Sequence, residues 1–257
     1  MILKSYEWGD PEAPVLVLVH GVGSRASEFR EAAERWGADH RVIAFDLRGH
    51  NRSGFEPPWT HATYVADLVE SVRALGIERA DWLGFSFGGR LLLNMAETHP
   101  EMIDRAILLE PVIQVSPELA QKRAEEELRG DVWDSVEDFI VAHSYGAEPQ
   151  LELIERVADY FDELPDGRVK RRTSQAAIVA IFSEFAAPAP DPSTLKCPTL
   201  LIYAPAFGLV TPEQLAVYEP VLQGVVEVPG MHSVFETAFE ETTAAVSEFL
   251  AAPVVAR

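Results

Sequence analysis

Short, continuously apolar runs alternate with stretches whose apolar residues recur every three or four positions, and this alternation governs most of the chain. Pro14–Val19, Arg41–Phe45, Ala80–Leu83, Ala106–Leu109 and Pro198–Tyr203 predict short strands, most of them covered on both faces. Ile2–Trp8 alternates only in part and reads as an edge strand ended by Gly9-Asp10-Pro11, and Val225–Val228 predicts the last strand. Between them lie helical patterns. One runs from Ser24, taken as its cap, to about Trp36, with Ala26, Phe29, Ala33 and Trp36 on one face. Others span His61–Leu75, stopped by Gly76, the stretch from Arg90 to the residues before Pro100, Pro212–Tyr218 and Val234–Leu250. This order predicts an α/β fold, a mostly parallel central sheet with helices on both faces.

The rhythm changes between Val112 and Pro190. Helical patterns rich in Glu, Arg and Ala follow one another at about Pro117–Arg129, Val132–His143, Gln150–Phe161 and Thr173–Phe185, broken at Gly130, Gly146 and Asp166-Gly167. No buried strand is expected there. An interruption of about eighty residues is too long for an ordinary loop in a compact domain. The expected organisation is a core of residues 1–111 and 191–257 carrying a helical cap, or lid, of residues 112–190, with Ala187-Pro188-Ala189-Pro190-Asp191-Pro192 as the returning hinge.

Parallel sheets present ligands with the carboxyl ends of their strands. His20, Asp46, Ser86, Glu110 and His232 all fall at such ends, which makes that edge the expected site. The strongest local signal is Gly84-Phe85-Ser86-Phe87-Gly88, lying between a predicted strand and a predicted helix. A serine at so tight a turn needs glycine two residues before and after it, because a Cβ at either place would meet the neighbouring strand or helix. The turn sets the Ser86 hydroxyl at a helix start, where the Phe87 N–H faces the place at which negative charge develops on an attacked carbonyl.

Charge and cysteine usage narrow the partners. With 41 acidic and 21 basic side chains the formal charge is −20, which repels polyanions and argues against nucleic acid or an anionic membrane surface as partner. Solubility, or a saline habitat, accounts for such a charge. The single cysteine, Cys197, excludes an intramolecular disulfide and reads as a structural residue at a strand start. The first residues carry no apolar signal core and no run reaches membrane-spanning length, so a cytoplasmic protein is expected.

His20-Gly21 after a buried strand, Asp46-Leu47-Arg48-Gly49-His50 after the next, the serine elbow and a late His232 together resemble the α/β-hydrolase fold superfamily. The closest likeness is to small bacterial serine esterases with a helical cap, and it covers essentially the whole chain. The resemblance implies Ser86 as nucleophile, His232 as general base, and the backbone N–H groups of Val22 and Phe87 as oxyanion hole. It implies a bracing role for His20, and an ion pair or hydrogen-bonded turn for Asp46 and Arg48. Asn51 stands where glycine is common, at a position where a left-handed backbone is expected. A serine rather than an aspartate at the elbow argues against the dehalogenase and epoxide hydrolase branches. The implied reaction is cleavage of small carboxylic esters without metal or cofactor. Lactonase, thioesterase, C–C hydrolase or cofactor-free haloperoxidase chemistry, and a non-catalytic binding protein on the same fold, remain alternatives.

The chain departs from the family pattern at the triad acid. An aspartate is usual shortly after the strand that follows the cap, but this chain reads Ala204-Pro205-Ala206-Phe207-Gly208-Leu209-Val210. Some superfamily members carry the acid after the strand next to the elbow, where this sequence has Glu110. The expectation is a Glu110 oxygen about 2.6–3.2 Å from a ring nitrogen of His232, with a Ser–His dyad as competitor. Trp59, Phe85, Val112, Phe207, Leu209 and Met231 are candidates for the pocket lining, with a cap contribution from among Trp133, Phe139, His143 and Tyr145. Arg25 reads as a surface residue.

Overall fold

The computed structural model describes residues 1–143 and 150–252. In chain order the first half forms β1 (Lys4–Trp8), β2 (Val15–Val19), α1 (Arg30–Trp36), β3 (Arg41–Asp46), α2 (His61–Ala74), β4 (Ala80–Phe85), α3 (Phe87–Thr98) and β5 (Ile103–Leu109). The chain then leaves the sheet for α4 (Pro117–Glu126), β6 (Val132–Trp133), α5 (Val136–His143), α6 (Leu151–Ala158), β7 (Phe161–Glu163), β8 (Val169–Arg171) and α7 (Gln175–Glu184). It returns with β9 (Thr199–Tyr203), α8 (Pro212–Tyr218), β10 (Gly224–Glu227), α9 (Val234–Thr237) and α10 (Phe239–Ala251).

The seven-stranded sheet has the order β1-β3-β2-β4-β5-β9-β10, and only β1 runs antiparallel. Side chains alternate across each strand, so successive residues feed opposite faces. Val17, Val19, Ile43 and Phe45 pack with Tyr64 and Leu68 of α2 and Leu91 and Met95 of α3. Leu16, Leu18, Val42 and Ala44 pack with Trp36 of α1 and Val246 and Phe249 of α10. The doubly covered strands are the physical reason for the continuous apolar runs.

Two local expectations are corrected. Ser24 does not cap the first helix: a 3₁₀ turn at Ala26–Phe29 precedes α1, and the Ser24 hydroxyl donates instead to Glu28. The insertion is not purely helical, because β6, β8 and β7 form a small antiparallel sheet. Strands of two or three residues are too short to show a period of two in a sequence.

The insertion is fastened to the core at both ends. Arg90 of α3 is 1% exposed and donates to the carbonyls of Ile113, Ala187 and, at 2.7 Å, Pro188, so one guanidinium ties the outgoing and returning chain. A second seam joins the loop after β3, where Asn51 N–H donates to the Arg172 carbonyl (2.6 Å) and Ser174 N–H to the Gly49 carbonyl (2.8 Å). Arg25 is buried, not on the surface as expected; it pairs with Asp159 at 2.9 Å and lies 4.0 Å from the Tyr160 ring centroid.

Candidate active site

Ser86 sits between β4 and α3 with φ 55° and ψ −111°, a left-handed backbone that a side chain rarely adopts. The glycines around it leave no alternative. A Cβ at Gly84 would collide with the Gly88 carbonyl, and one at Gly88 with the Val19 carbonyl at the end of β2. Ser86 N–H donates to the Leu109 carbonyl (2.9 Å) and the Ser86 carbonyl accepts from Arg90 (3.2 Å) and Val112 (3.1 Å). The strained residue is thus held on both sides by neighbouring backbone.

His232 follows β10 and brings Nε2 to 3.0 Å from Ser86 Oγ. Its ring packs against Phe85, at 5.2 Å between centroids, and Phe207, at 4.9 Å and stacked. Phe207, which stands in sequence about where the family's acid is expected, therefore packs on a face of the imidazole. The carboxylate comes from elsewhere. Glu110 is fully buried at the end of β5, with φ 44°. Its N–H donates to the Ile202 carbonyl (2.7 Å) and its Oε2 accepts from Ala204 N–H (2.6 Å), which binds the residue to β9 through both main chain and side chain. Glu110 Oε1 faces His232 Nδ1 at 3.9 Å, longer than the expected hydrogen bond. Both atoms are buried, and neither has a hydrogen-bond partner among the described residues. Catalytic hydrogen bonds are often long without substrate and tighten in the complex.

The loop after β2 approaches Ser86 closely: a Cβ at Gly21 would lie 3.2 Å from Ser86 Cβ. Two buried histidines shape it. His20 Nδ1 donates to the Gly21 carbonyl (2.7 Å) while Nε2 accepts from Leu47 N–H (3.0 Å). His50 Nδ1 donates to the Arg48 carbonyl (2.9 Å) and Nε2 accepts from Gly23 N–H (3.1 Å). Each ring must be neutral to accept, and burial pushes His20 down to about 4 and His50 to about 3. Phe87 N–H, at the first position of α3, is among the donors a helix leaves without an intrahelical partner. Above Ser86 opens a cleft of about 700 Å³ between the sheet edge and the insertion, walled by Val22, Phe85, Val112, Leu119, Phe182 and Leu209 among others. Among the described residues no cluster of three His, Cys, Asp or Glu side chains is placed to hold a metal ion. No described helix is long and apolar enough to cross a membrane.

The family profile of the alpha/beta hydrolase fold matches residues 14–237. The chain belongs to that family. Among its curated relatives, the 3-hydroxybutyrate-oligomer hydrolase of Cupriavidus necator is 34% identical over 128 residues, covering 47% of this chain and 41% of that one. The pimeloyl-[acyl-carrier protein] methyl ester esterase of Edwardsiella ictaluri is 30% identical over 145 residues, covering 52% and 53%. The chain spans about half the length of these curated relatives. Solved structures are matched nearly end to end. An E-2-(acetamidomethylene)succinate hydrolase superposes with a TM-score of 0.86 at 23% identity, covering 97% of this chain and 95% of that one. The enol-lactonase from Burkholderia xenovorans LB400 superposes with a TM-score of 0.80 at 21% identity, covering 97% and 96%. At these identities the likeness is one of fold.

Within this alpha/beta hydrolase, Ser86, His232, Phe85, Val112, Phe207 and Leu209 meet at one cleft together with Val22. Trp59 and Met231 do not line it. Trp59 packs against the core beneath the Gly49 turn, and Met231 points outward at 51% exposure. From the insertion, Trp133 and Phe139 fill the insertion's own small core instead. Tyr145, with the Gly146 break, lies outside the described residues, as does the side chain of His143. The cleft wall comes from α4 and α7, through Leu119, Ala120, Arg123 and Phe182, which the sequence reading missed. Asp46 and Arg48 are not paired with each other. Asp46 accepts from Ala26 N–H (2.9 Å) and Asn51 (2.8 Å), and Arg48 forks onto Asp67 at 2.6 and 2.8 Å. Asn51 has the expected positive φ, 46°.

Proposed function

We propose that the protein is a serine hydrolase that cleaves small carboxylic esters through an acyl-enzyme, without metal or cofactor. The observation that carries this reading is the 3.0 Å approach of His232 Nε2 to Ser86 Oγ at a strained elbow. Ser86 Oγ attacks the acyl carbonyl as His232 takes its proton; the C–O bond to the alcohol breaks as the imidazolium returns that proton to the leaving oxygen. Water, deprotonated by the same ring, then releases the acid. The Val22 and Phe87 N–H groups hold the oxyanion, a contribution of about 3 kcal/mol per donor. The buried Glu110 carboxylate faces the distal ring nitrogen and offsets the imidazolium charge. The two curated relatives, a 3-hydroxybutyrate-oligomer hydrolase and a pimeloyl-[acyl-carrier protein] methyl ester esterase, support an ester carbonyl as the target.

A fluorophosphonate probe and short p-nitrophenyl esters test the proposal. Labelling confined to Ser86, with ester turnover that survives exhaustive chelation, is the expected result. Silence toward both reagents at matched protein concentration, or activity that returns only with added zinc, overturns it.

A further inference from the structure

The cleft wall contains one acid that the proposed chemistry leaves unused. Glu28 lies on the 3₁₀ turn directly after the oxyanion loop and lines the cleft with Ser24, Ser86 and His232. The other cleft carboxylates are consumed: Glu126 pairs with Arg123 at 2.9 Å and Glu127 with Arg171 at 2.8 Å. Glu28 makes no ion pair among the described residues. Its Oε2 accepts from the Ser24 hydroxyl, and the Tyr160 hydroxyl joins the same hydrogen-bonded group from the insertion. Arg25, three residues away, spends its guanidinium on Asp159 and the Tyr160 ring.

Neutral hydroxyls orient a carboxylate without cancelling its charge, whereas an arginine fork does cancel it. Glu28 is therefore positioned without an ion-pair partner among the described residues: Glu236 nearby adds negative charge, and Arg25 and His232 offset part of it from a distance. Burial pushes its carboxyl up, the direction expected of an acid in a largely apolar wall, and a cation arriving in the cleft offsets that cost. A chain of formal charge −20 concentrates cations at an apolar-walled opening of this kind.

We infer that Glu28 selects substrates, so that the enzyme prefers esters carrying a cationic, ammonium-type substituent close to the scissile bond. The inference rests on the ester-hydrolase reading and adds the charge of the substrate to it. Arg123 and Arg129 stand on the insertion side of the same cleft, so the opposite preference, for anionic esters, is the rival outcome.

The test compares acetylcholine with 3,3-dimethylbutyl acetate, which replaces the quaternary nitrogen by carbon at nearly constant shape. The expected ratio of kcat/KM values in the wild-type protein favours the cation by about tenfold at low salt and shrinks as salt is raised. Glu28→Gln, which keeps the side-chain length and the Ser24 contact, should bring the ratio close to one. Should that variant not fold, competitive inhibition of the wild-type protein by tetramethylammonium gives the same reading. A wild-type ratio near one, a ratio unchanged by Glu28→Gln, absence of tetramethylammonium inhibition, or faster turnover of monoanionic esters overturns the inference. If even the neutral ester is not cleaved and Ser86 stays unlabelled, it is the hydrolase reading that has failed.

Discussion

The sheet edge and the insertion above it hold their residues by different means. At the edge, Ser86 and Glu110 both carry positive φ, and backbone hydrogen bonds to Leu109 of β5 and Ile202 of β9 fix them beside glycines, Gly84 and Gly88, at which an added Cβ would collide. In the insertion, a small separate core buries Val136, Ile140 and Phe161, and arginine-carboxylate pairs such as Arg171 with Glu127 and Asp131 supplement it. Close-packed backbone gives sub-ångström placement, which bond-making requires. Ion pairs on a thin core give a surface that can change without unfolding the sheet, which suits a wall that selects substrates.

The contrast is broken most severely at Ser86, the proposed nucleophile. Ser86→Ala should lower kcat by about five to six orders of magnitude while the melting temperature, followed by circular dichroism, moves only slightly. Glu110→Gln comes next, with kcat down by about two to four orders and KM little changed in steady-state kinetics, because the charge acts mainly in the transition state. Near-wild-type turnover in that variant would leave a Ser86–His232 dyad. Gly88→Ala, which drives a methyl into the Val19 carbonyl, should cost about 3 kcal/mol in urea unfolding.

Acid should loosen the edge before the insertion. His20 and His50 titrate near 4 and 3 when folded and at about 6.5 when unfolded, so across that interval the unfolded chain binds more protons. Stability is full above pH 6.5 and falls as pH drops toward 4 for His20 and 3 for His50, by about 3 kcal/mol for His20 and about 5 kcal/mol for His50 over the whole range. Urea unfolding at pH 7 and 4.5 measures this, and His50→Gln should flatten the dependence. The smallest effect belongs to the insertion: Leu119→Ala should reduce kcat/KM for longer acyl esters about fivefold and shift the chain-length profile, since one apolar contact is removed.

How legible each part was in the sequence follows from the same contrast. The elbow could be read because Gly84, Ser86 and Gly88 answer to steric needs a few residues apart. Glu110 could be placed at the site because a buried strand ends there. The role of Phe207 could not, since stacking on His232 depends on two loops meeting after the fold has closed. The ion-pair alternative for Asp46 and Arg48 failed for a similar reason: the partner of Arg48, Asp67, lies on α2, nineteen residues away, whereas Asp46 serves the hydrogen-bonded turn that was the other alternative, accepting from Asn51 and the Arg52 N–H. Trp59 and Met231 looked like pocket residues from their neighbours in sequence, but apolar character alone does not say whether a side chain faces a cleft, a core or solvent.

The two phenyl rings that pack against His232 also give the imidazole a magnetic signature. Circulating π electrons in Phe85 and Phe207 shield nuclei held over their faces, and both rings lie about 5 Å from the imidazole at shallow tilts. The His232 ring protons should therefore resonate upfield of those of a half-buried histidine without such ring neighbours, such as His99. That displacement makes His232 a resolved reporter by proton NMR, through which substrate entry and movement of the Phe207 loop register on the imidazole itself.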